Sequence, residues 1–388
     1  MASDQRSTYI NPNAKTYSHP ELAEAPIVKK FHERLPLYKP TPLVPLEELA
    51  EKFGVKSIVV KDEGNRLGLP SFKILGASWG TFRAIASRLN LPLDSSLDDL
   101  SGAAQNASIE LFAATDGNHG RAVAYMAKLL HLPAEILVPT AVDGHTRELI
   151  VKEGAEVTVT QGDYDDAVRS AAEKTATSPG GILIQDTSFE GYEDIPSWIV
   201  DGYSTMMHEV DSQLEEQGLR PTIIITPVGV GSLATAVVSH AKSGGSSITT
   251  LAVEPDTAAC LHTSLKAGQI SPIKTPGTIM TGLDSGQITP IKTPGTIMTG
   301  LDCGTVSTAA WPILHAGIDA SVTVSDSSCH DAVLYLARHG LFLGPCGAAG
   351  LAALLNIVPT ELGSIGLNSD SVVVILGTEG PRPYFDSL

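Results

Sequence analysis

From residue 109 onwards, short apolar runs alternate with longer segments whose apolar residues recur at helical spacing. The run at 109–115 precedes a helical pattern at about 117–130, and the alternation continues to residue 186. A second series of the same kind begins with one predicted helix at about 198–217 and leads to the last apolar run, at 371–376. Because parallel strands are joined by helical crossovers, this alternation predicts an α/β fold with parallel sheets.

The segments before residue 109 carry a weaker pattern. The first forty residues look irregular and are punctuated by proline, whereas an apolar strand from Lys56 is followed by helical spacing at 71–89. Residues 91–107 are polar and rich in turn formers, so we predict a linker or an inserted loop there.

This pattern predicts two parallel-sheet, three-layer domains. The large domain is discontinuous and would comprise residues 1–85 plus 205–388, and the small domain would comprise residues 86–204. Ligands of such folds bind beyond the carboxyl ends of the strands, so candidate residues are sought there.

One stretch is repeated in tandem. Residues 268–285 are followed at once by a near-copy at 286–303, and the copies differ only at Ser271/Thr289 and at Ser285/Cys303. A single duplication is too short for a repeat architecture. We expect one copy to be redundant to the large domain and to form a loop.

Composition narrows the class of protein. The net charge of −17 argues against nucleic acid or an anionic membrane as a partner. The polar start lacks the core of a signal peptide, and no apolar run is long enough to span a bilayer. The four cysteines form no CxxC pair, so we expect a reducing, cytoplasmic location and no metal site.

Lys73 lies where a loop passes into the helical pattern at 71–89. The helix dipole and partial burial would both lower the pKa of a lysine there. A neutral amine is what a Schiff base with an aldehyde requires. An ordinary exposed lysine is the alternative when this residue is considered alone.

Two glycine-containing turns follow predicted strands. The turn at 115–120 exposes N–H groups that could bind a substrate carboxylate, which makes Thr115, Gly117 and His119 candidates for substrate binding. A simple helix cap is the alternative. The turn at 227–233 could bind phosphate, although it lacks the third glycine of a dinucleotide fingerprint.

Two neutral side chains, Thr378 after the last strand and Cys346 before a helix, could donate a hydrogen bond to a pyridine nitrogen. Either could equally serve as a helix cap. Like the lysine and the glycine turns, they lie near predicted strand ends.

Taken together, these segments resemble a known family. KDEGNRLGLPSFKILGA, TDGNHG, PVGVGSLA and GTEG are similar to motifs of the fold-type II pyridoxal-phosphate enzymes, the tryptophan synthase β and threonine dehydratase group. Within that group, IQDTSFEGYEDIPSWIVDGY and GTIMTGLDCGTVSTAAWPIL resemble the diaminopropionate ammonia-lyases. The resemblance extends from about residue 38 to residue 380 and implies a homodimer.

The resemblance implies roles for individual residues. Lys73 would bind pyridoxal 5'-phosphate as a Schiff base and then act as a base, while Asn118 would face the ring hydroxyl. Thr378 or Cys346 would meet the ring nitrogen. The phosphate would be bound by the loop residues Gly229, Val230, Gly231, Ser232 and Leu233.

Asp116 and Asp186 decide the expected substrate. Serine and threonine dehydratases usually have serine at the position of Asp116, whereas a carboxylate suits a substrate with a second ammonium group. Asp116 could also remove an α-proton from the face opposite Lys73. Asp186 matches the second acid of the diaminopropionate lyases, and a loop-capping role is its alternative.

The resemblance therefore implies elimination of ammonia from 2,3-diaminopropionate, a small amino acid, to give pyruvate and ammonia. A serine or threonine dehydratase and a β-replacement synthase are alternatives on the same fold. An inactive protein that binds the cofactor or an amino acid is an alternative of another class.

Overall fold

The computed structural model describes residues 8–20, 24–162, 164–274, 295–357 and 359–384. The strands in these ranges are, in chain order, β1 (Thr8–Ile10), β2 (Leu43–Pro45), β3 (Ser57–Asp62), β4 (Glu110–Ala114), β5 (Ala134–Pro139), β6 (Glu156–Thr160), β7 (Gly181–Leu183), β8 (Ile223–Pro227), β9 (Thr249–Pro255), β10 (Ala320–Val324) and β11 (Val372–Gly377).

The α-helices in the same ranges are α1 (Ala25–Glu33), α2 (Glu47–Phe53), α3 (Lys73–Leu89), α4 (Leu97–Asn106), α5 (Asn118–Leu129), α6 (Gly144–Lys152), α7 (Tyr164–Thr177), α8 (Asp194–Gly202), α9 (Ser204–Glu215), α10 (Ser232–Ala241), α11 (Cys260–Ala267), α12 (Trp311–Gly317), α13 (Asp326–Arg338), α14 (Pro345–Asn356) and α15 (Pro359–Ser364). Short 3-10 turns occur at Ala14–Thr16 and Thr299–Leu301.

The chain forms two compact units. The first unit comprises Met1–Glu21, Thr41–Asn65 and Met207–Leu388, and the second comprises Leu22–Pro40 and Arg66–Met206. The predicted division placed residues 22–40 and 66–85 with the large domain, whereas the structure places both segments in the second unit. The reason is that helix α3, which begins in the later of these segments, packs against α8 and α5.

The first unit contains a seven-stranded sheet in the order β1-β10-β9-β8-β11-β3-β2. Its five inner strands are parallel, and the two edge strands are antiparallel to their neighbours. Alternate residues of β9 belong to different cores: Leu251 and Val253 share one core with residues of α13 and α14, whereas Ala252 shares another with residues of α10, α11 and α12. Helices therefore cover both faces, which confirms the predicted three-layer arrangement.

The second unit contains a four-stranded parallel sheet in the order β6-β5-β4-β7. Leu137 and Phe112 pack with α7 on one face. The neighbouring residue Ile136 points the other way and meets α5, where a Cβ at Gly120 would be 2.6 Å from its side chain. This sheet is thus also covered on both faces, as the alternation of strands and helices predicted.

Close packing fixes helix α3 within the second unit. A Cβ at Gly76 would lie 2.6 Å from the ring of Tyr203, and one at Gly80 would lie 2.6 Å from Ile199. Only glycine at these two positions lets α3 approach α8 this closely. The amino end of α3, where Lys73 stands, is therefore held in a defined position.

Three local predictions were wrong. The first forty residues contain α1, whose apolar residues Val28 and Phe31 are buried. The polar segment 91–107 contains α4, because Ser96 caps its amino end and Leu100 is buried on one face. The helical pattern at 198–217 is split into α8 and α9 at Tyr203.

The duplicated segment is described only at its two ends. Residues 268–274 begin the first copy, residues 295–303 end the second copy, and residues 275–294 lie outside the described ranges. The backbone N–H of Ile273 donates to the carbonyl of Gly304, 2.9 Å away. The start of one copy is therefore joined directly to the residue after the other, while the predicted loop falls outside the described residues.

All four cysteines are free thiols. Among the described helices, none combines the length and the apolar character needed to cross a membrane.

Candidate active site

The strand order of the second unit reverses between β4 and β7. The chain proceeds from β4 to β5 and β6 on one side, and then places β7 on the other side of β4. Such a reversal opens a crevice at the carboxyl ends of the two central strands. The turn at 115–120 follows β4 and Asp186 follows β7, so the sheet brings two predicted site segments together.

Lys73 is the first residue of α3, and its side chain reaches this sheet edge. Its Nζ donates to Oδ2 of Asp186, and the side chain of Lys73 retains 23% exposure against 4% for that of Asp186. The predicted catalytic lysine and the predicted second acid therefore form an ion pair. The remaining exposure leaves the amine accessible to a small molecule.

The carboxylate of Asp186 is held by its chain neighbours. Ile184 donates its N–H to Phe112 of β4 at 2.7 Å, and the side chain of Gln185 accepts the N–H of Ala114 at 2.9 Å. Burial alone would raise the pKa of Asp186, but the charges of Lys73 and His119 and the Lys73 hydrogen bond hold it well below its usual range. Asp186 is therefore an anion, which balances the lysine.

His119 lies in the first turn of α5 and is buried, although the turn was predicted to contact substrate. Its Nε2 is 2.8 Å from the carbonyl oxygen of Ile184, and its Nδ1 is 3.9 Å from Oδ2 of Asp186. Burial lowers the pKa of His119, Asp186 raises it and Lys73 lowers it, with a net decrease. The imidazole thus faces Asp186.

The hydroxyl of Thr115 caps helix α5. It accepts the N–H of Gly117 at 2.9 Å and the N–H of Gly120 at 3.0 Å, and Thr115 is buried. The observed contacts of Thr115 are therefore those of a helix cap, which was the alternative to substrate binding. Asp116 and Asn118 flank Gly117 and are half-buried in the same turn, at the edge where Asp186 stands.

Sequence reasoning missed Tyr203. Its ring packs on Phe72 at 4.9 Å between centroids, and its hydroxyl is buried without a hydrogen-bond partner among the described residues. Burial raises the pKa of Tyr203, the Lys73 charge lowers it and Asp186 raises it, and the net direction is upwards. Because the helical spacing at 198–217 runs through Tyr203, the sequence pattern does not single this residue out.

The sheet of the first unit also reverses its strand order, between β8 and β11. The chain passes from β8 to β9 and β10 on one side, and β11 lies on the other side of β8. The predicted phosphate loop follows β8, and Thr378 follows β11. The sheet thus places these two predicted segments side by side.

The carbonyl groups of the loop are engaged by the surrounding protein. Gly229 accepts from the thiol of Cys260 at 3.8 Å, Val230 accepts from the N–H of Ser307 at 2.9 Å, and Gly231 accepts from the N–H of Thr235 at 2.8 Å. In the described part of the chain, the N–H groups of Gly229, Val230 and Gly231 have no acceptor. These N–H groups and the amino end of α10, which begins with Ser232 and Leu233, suit an anion.

Thr378 and Cys346 differ in what they contact. The hydroxyl of Thr378 is buried and has no hydrogen-bond partner among the described residues. The N–H of Cys346 donates to Glu379 at 3.1 Å, and burial and the neighbouring Glu379 raise the pKa of the Cys346 thiol. Thr378 therefore offers a donor, whereas Cys346 belongs to the packing around Glu379.

Within the described ranges, no group of three or more His, Cys, Asp or Glu side chains is arranged to hold a metal ion.

Comparison with known proteins adds to this picture. Residues 34–378 match the family described as "Pyridoxal-phosphate dependent enzyme". The diaminopropionate ammonia-lyase of Escherichia coli (strain K12) is 33% identical over 377 residues, which cover 92% of this chain and 88% of that protein.

Solved structures agree with this match. The E. coli diaminopropionate ammonia lyase in complex with an aminoacrylate-PLP azomethine reaction intermediate has a TM-score of 0.83 at 31% identity and covers 97% of this chain and 94% of its own. The same enzyme in complex with D-serine has a TM-score of 0.81 at 29% identity, with 97% and 94% covered. The lysine and glycine-loop arrangement and these matches lead to one conclusion: the chain belongs to the pyridoxal-phosphate-dependent enzymes, in their fold-type II class.

Proposed function

We propose that this protein eliminates ammonia from 2,3-diaminopropionate and gives pyruvate and ammonia. The observation that carries the proposal is the ion pair of Lys73 with Asp186 at the strand ends of the second unit, beside the turn that contains Asp116. The substrate is inferred from the similarity to the E. coli diaminopropionate ammonia-lyase, 88% of whose length is matched.

The glycine loop of the first unit fits the cofactor's phosphate. Three N–H groups without an acceptor in the described chain lie at the amino end of α10, where a dianion is stabilised. A Cβ at Gly231 would lie 2.8 Å from Leu314, and one at Gly229 would lie 3.0 Å from the carbonyl of Gly300. Larger residues would disturb the loop, so its backbone is shaped for close approach.

Thr378 fits the cofactor's ring nitrogen better than Cys346 does. The Thr378 hydroxyl is buried and needs a partner, which an unprotonated pyridine nitrogen supplies by accepting its hydrogen. A neutral donor keeps the ring nitrogen uncharged and thereby favours elimination over transamination. Asn118, half-buried in the turn after β4, would donate to the ring hydroxyl.

Pyridoxal phosphate, when bound, supplies an aldehyde for an amine and a conjugated ring that delocalises the electrons released at Cα. Lys73 supplies the amine of the protein and takes the α-proton at its Nζ. For either task Lys73 must be neutral, so its proton must pass to a neighbour. The carboxylate of Asp186 is in direct contact with Nζ and can receive it.

Asp116 is assigned to the substrate's second amino group. A carboxylate at the end of β4 pairs with the β-ammonium of diaminopropionate by a charge-assisted hydrogen bond. Serine offers only a hydroxyl at that position of the substrate, so it gains much less from Asp116. The same carboxylate can take an α-proton from the face opposite Lys73, which would let both enantiomers react.

The direct test is pyruvate release by the purified, cofactor-loaded protein. D- and L-2,3-diaminopropionate and L-serine are supplied separately. We expect rapid release from diaminopropionate and little from serine. Absence of pyruvate with all three, from protein that has bound its cofactor, would contradict the proposal.

Replacement of Asp116 by Asn isolates the charge pairing. The selectivity for diaminopropionate over serine, as a ratio of kcat/KM values, should fall by about 10- to 100-fold, the scale of a hydrogen bond to a charged group. Asp94→Asn, in the exposed loop at 94–96, is the matched control and should leave the ratio unchanged. Equal loss for both substrates in Asp116→Asn would contradict charge pairing.

We further propose that the protein works in the cytoplasm as a homodimer, without nucleic acid or a membrane as partner. The net charge of −17 and the four free thiols support this setting. The resemblance to the family supports the dimer. Sedimentation of the purified protein at micromolar concentration tests it, and a monomer there would contradict it.

A further inference from the structure

The hydrogen-bond partner of His119 fixes its tautomer. Its Nε2 lies 2.8 Å from the carbonyl oxygen of Ile184. A carbonyl oxygen can only accept, so Nε2 carries a hydrogen. In the neutral ring Nδ1 then has a lone pair and no hydrogen.

That lone pair faces a carboxylate. Nδ1 of His119 has no hydrogen-bond partner among the described residues, and the nearest charged oxygen is Oδ2 of Asp186, 3.9 Å away. Both side chains are about 95% buried, so water does not separate their charges freely. Two acceptors that face each other in a buried place are unfavourable, and a proton on Nδ1 would turn them into a charge-assisted hydrogen bond after a contraction of about 1 Å.

The same oxygen of Asp186 also accepts from Lys73. Within the second unit, Oδ2 of Asp186 is therefore a shared neighbour of Nζ of Lys73 and Nδ1 of His119. Ile184, two residues before Asp186, holds the far side of the imidazole. The segment that positions the carboxylate thus also positions the ring.

We propose that His119 is a positioning residue that holds, through Asp186, the proton that Lys73 gives up; this rests on the proposed role of Lys73 as the reacting amine. The Nζ–H bond of Lys73 breaks and an O–H bond forms on Asp186. That O–H bond then breaks and an Nδ1–H bond forms on His119. A neutral amine, a carboxylate and an imidazolium replace an ammonium, a carboxylate and an imidazole, so the total charge is unchanged.

The charges around the imidazole favour this exchange. Burial lowers the pKa of His119, the Asp186 carboxylate raises it and the Lys73 ammonium lowers it. When Lys73 loses its charge, burial still lowers the pKa of His119, but the Lys73 influence that also lowers it disappears, while that of Asp186 remains. The basicity of His119 is therefore coupled to the charge of Lys73.

The first test measures that coupling without the reaction. Histidine-labelled full-length protein, free of cofactor, is titrated by NMR as wild type and as Lys73→Met, and His119→Gln identifies the resonance. We expect Lys73→Met to raise the proton affinity of His119 by at least about tenfold, and Lys73→Met combined with Asp186→Asn to remove the increase. An unchanged titration of His119 in Lys73→Met would overturn the proposal.

The second test measures how the lysine becomes neutral. In His119→Gln the amide can still donate to Ile184 but cannot take up a proton. Formation of the bond between Lys73 and pyridoxal phosphate, followed by stopped-flow absorbance, should slow by about tenfold at neutral pH and recover at alkaline pH, where solvent removes the proton. His131→Gln, an exposed histidine beyond α5, is the control and should match wild type.

The outcomes separate the two proposals. A rate in His119→Gln that is equally reduced at every pH would indicate a structural role only and would overturn the inference. Coupled titration in a protein that releases no pyruvate from diaminopropionate would support the inference and overturn only the proposed substrate.

Discussion

The two units share one topological feature but place different chemical groups at it. Each has a parallel sheet whose strand order reverses once, between β4 and β7 in the second unit and between β8 and β11 in the first. At the second unit's reversal, charged side chains meet, because Lys73 pairs with Asp186. At the first unit's reversal, the polar groups that lack a partner among the described residues are neutral: backbone N–H groups and the hydroxyl of Thr378.

The difference indicates which chemistry the strand ends of each unit can support. A buried charge needs a partner of opposite charge, so the second unit can exchange protons among groups that remain balanced. Neutral donors do not need such balance and suit the binding of an anion and a ring. The first unit also has buried carboxylates, but Glu254 and Glu379 stand at the amino ends of α11 and α14, where they accept backbone N–H groups.

Loss of the amine should have the largest effect. Lys73→Ala should reduce pyruvate release by about 10³-fold or more, because no other group supplies both the bond to the cofactor and the base. Lys152→Ala, an exposed lysine on α6, is the matched control and should keep full activity.

The comparison of the two units also predicts a property that Lys73→Ala should retain. If the phosphate is bound by the neutral groups of the first unit, cofactor-phosphate binding should persist, and inorganic phosphate should still protect the variant from thermal unfolding. If the variant lost both the activity and the protection by phosphate, phosphate binding would depend on Lys73 as well as on the neutral groups of the first unit, which would contradict the comparison.

Gly231→Ala tests the neutral groups at the strand ends of the first unit. At a φ of +106°, with the new Cβ 2.8 Å from Leu314, alanine should lower the free energy of unfolding by about 1–3 kcal/mol and raise the Kd for the cofactor at least about tenfold. Gly218→Ala is the control, since its φ is +68° and the space around it is open. It should cost about 1 kcal/mol of stability and leave the Kd unchanged; equal Kd values in both variants would contradict the assignment.

Sequence alone predicted the sheet edges well. The alternation of strands and helices located β4, β8 and β11, and the two glycine turns and Thr378 follow these strands because ligand groups in α/β folds gather at strand ends. The fold class and its layers followed from the same pattern. These features depend on local periodicity and on a general rule of topology.

Features that depend on long-range packing were missed. The direction of the His119 ring depends on β7, about 65 residues later in the chain. Tyr203 marks a break that the helical pattern at 198–217 conceals. The placement of residues 66–85 depends on close packing of α3 on α8, which no local pattern reveals.

Thr378→Val should have opposite effects on the cofactor-free and the cofactor-bound protein. Valine matches the shape of threonine and removes a buried hydroxyl that has no partner in the described chain, so the cofactor-free protein should gain about 1 kcal/mol of stability. The cofactor-bound protein should lose a hydrogen bond, with a severalfold increase in the cofactor's Kd.

Thr250→Val is the matched control for that substitution. The hydroxyl of Thr250 is also buried but can donate to Oδ2 of Asp319 at 3.1 Å or to the carbonyl of Gly317 at 3.2 Å, so valine should lower the stability of the cofactor-free protein by at least about 1 kcal/mol. If Thr378→Val also lowered it, the hydroxyl of Thr378 would have a protein partner, and its assignment to the ring nitrogen would be wrong.

The smallest effect concerns Glu254, a buried carboxylate near the carboxyl end of β9 that accepts backbone N–H groups of α11. Burial raises the pKa of Glu254 to about 8 from an ordinary value of 4.5, against the opposing hydrogen bonds from Leu261, His262 and Cys260. The folded protein therefore binds this proton more tightly than the unfolded chain, and the stability it contributes is lost as the pH rises from about 4.5 through about 8.

Glu254→Gln cannot ionise, so its urea midpoint at pH 8 relative to that at pH 5 should be higher than the same comparison gives in wild type, as chemical denaturation of the cofactor-free protein at both pH values would show. His262 gives the opposite slope, because its lowered pKa of about 4 costs stability as the pH falls below 6.5. Since Glu254 belongs to the first unit and the proposed proton chemistry to the second, its ionisation should not alter the pH profile of pyruvate release at saturating cofactor. A change of that profile in Glu254→Gln would mean that a carboxylate of the first unit takes part in proton transfer. This outcome would contradict the assignment of proton transfer to the second unit alone.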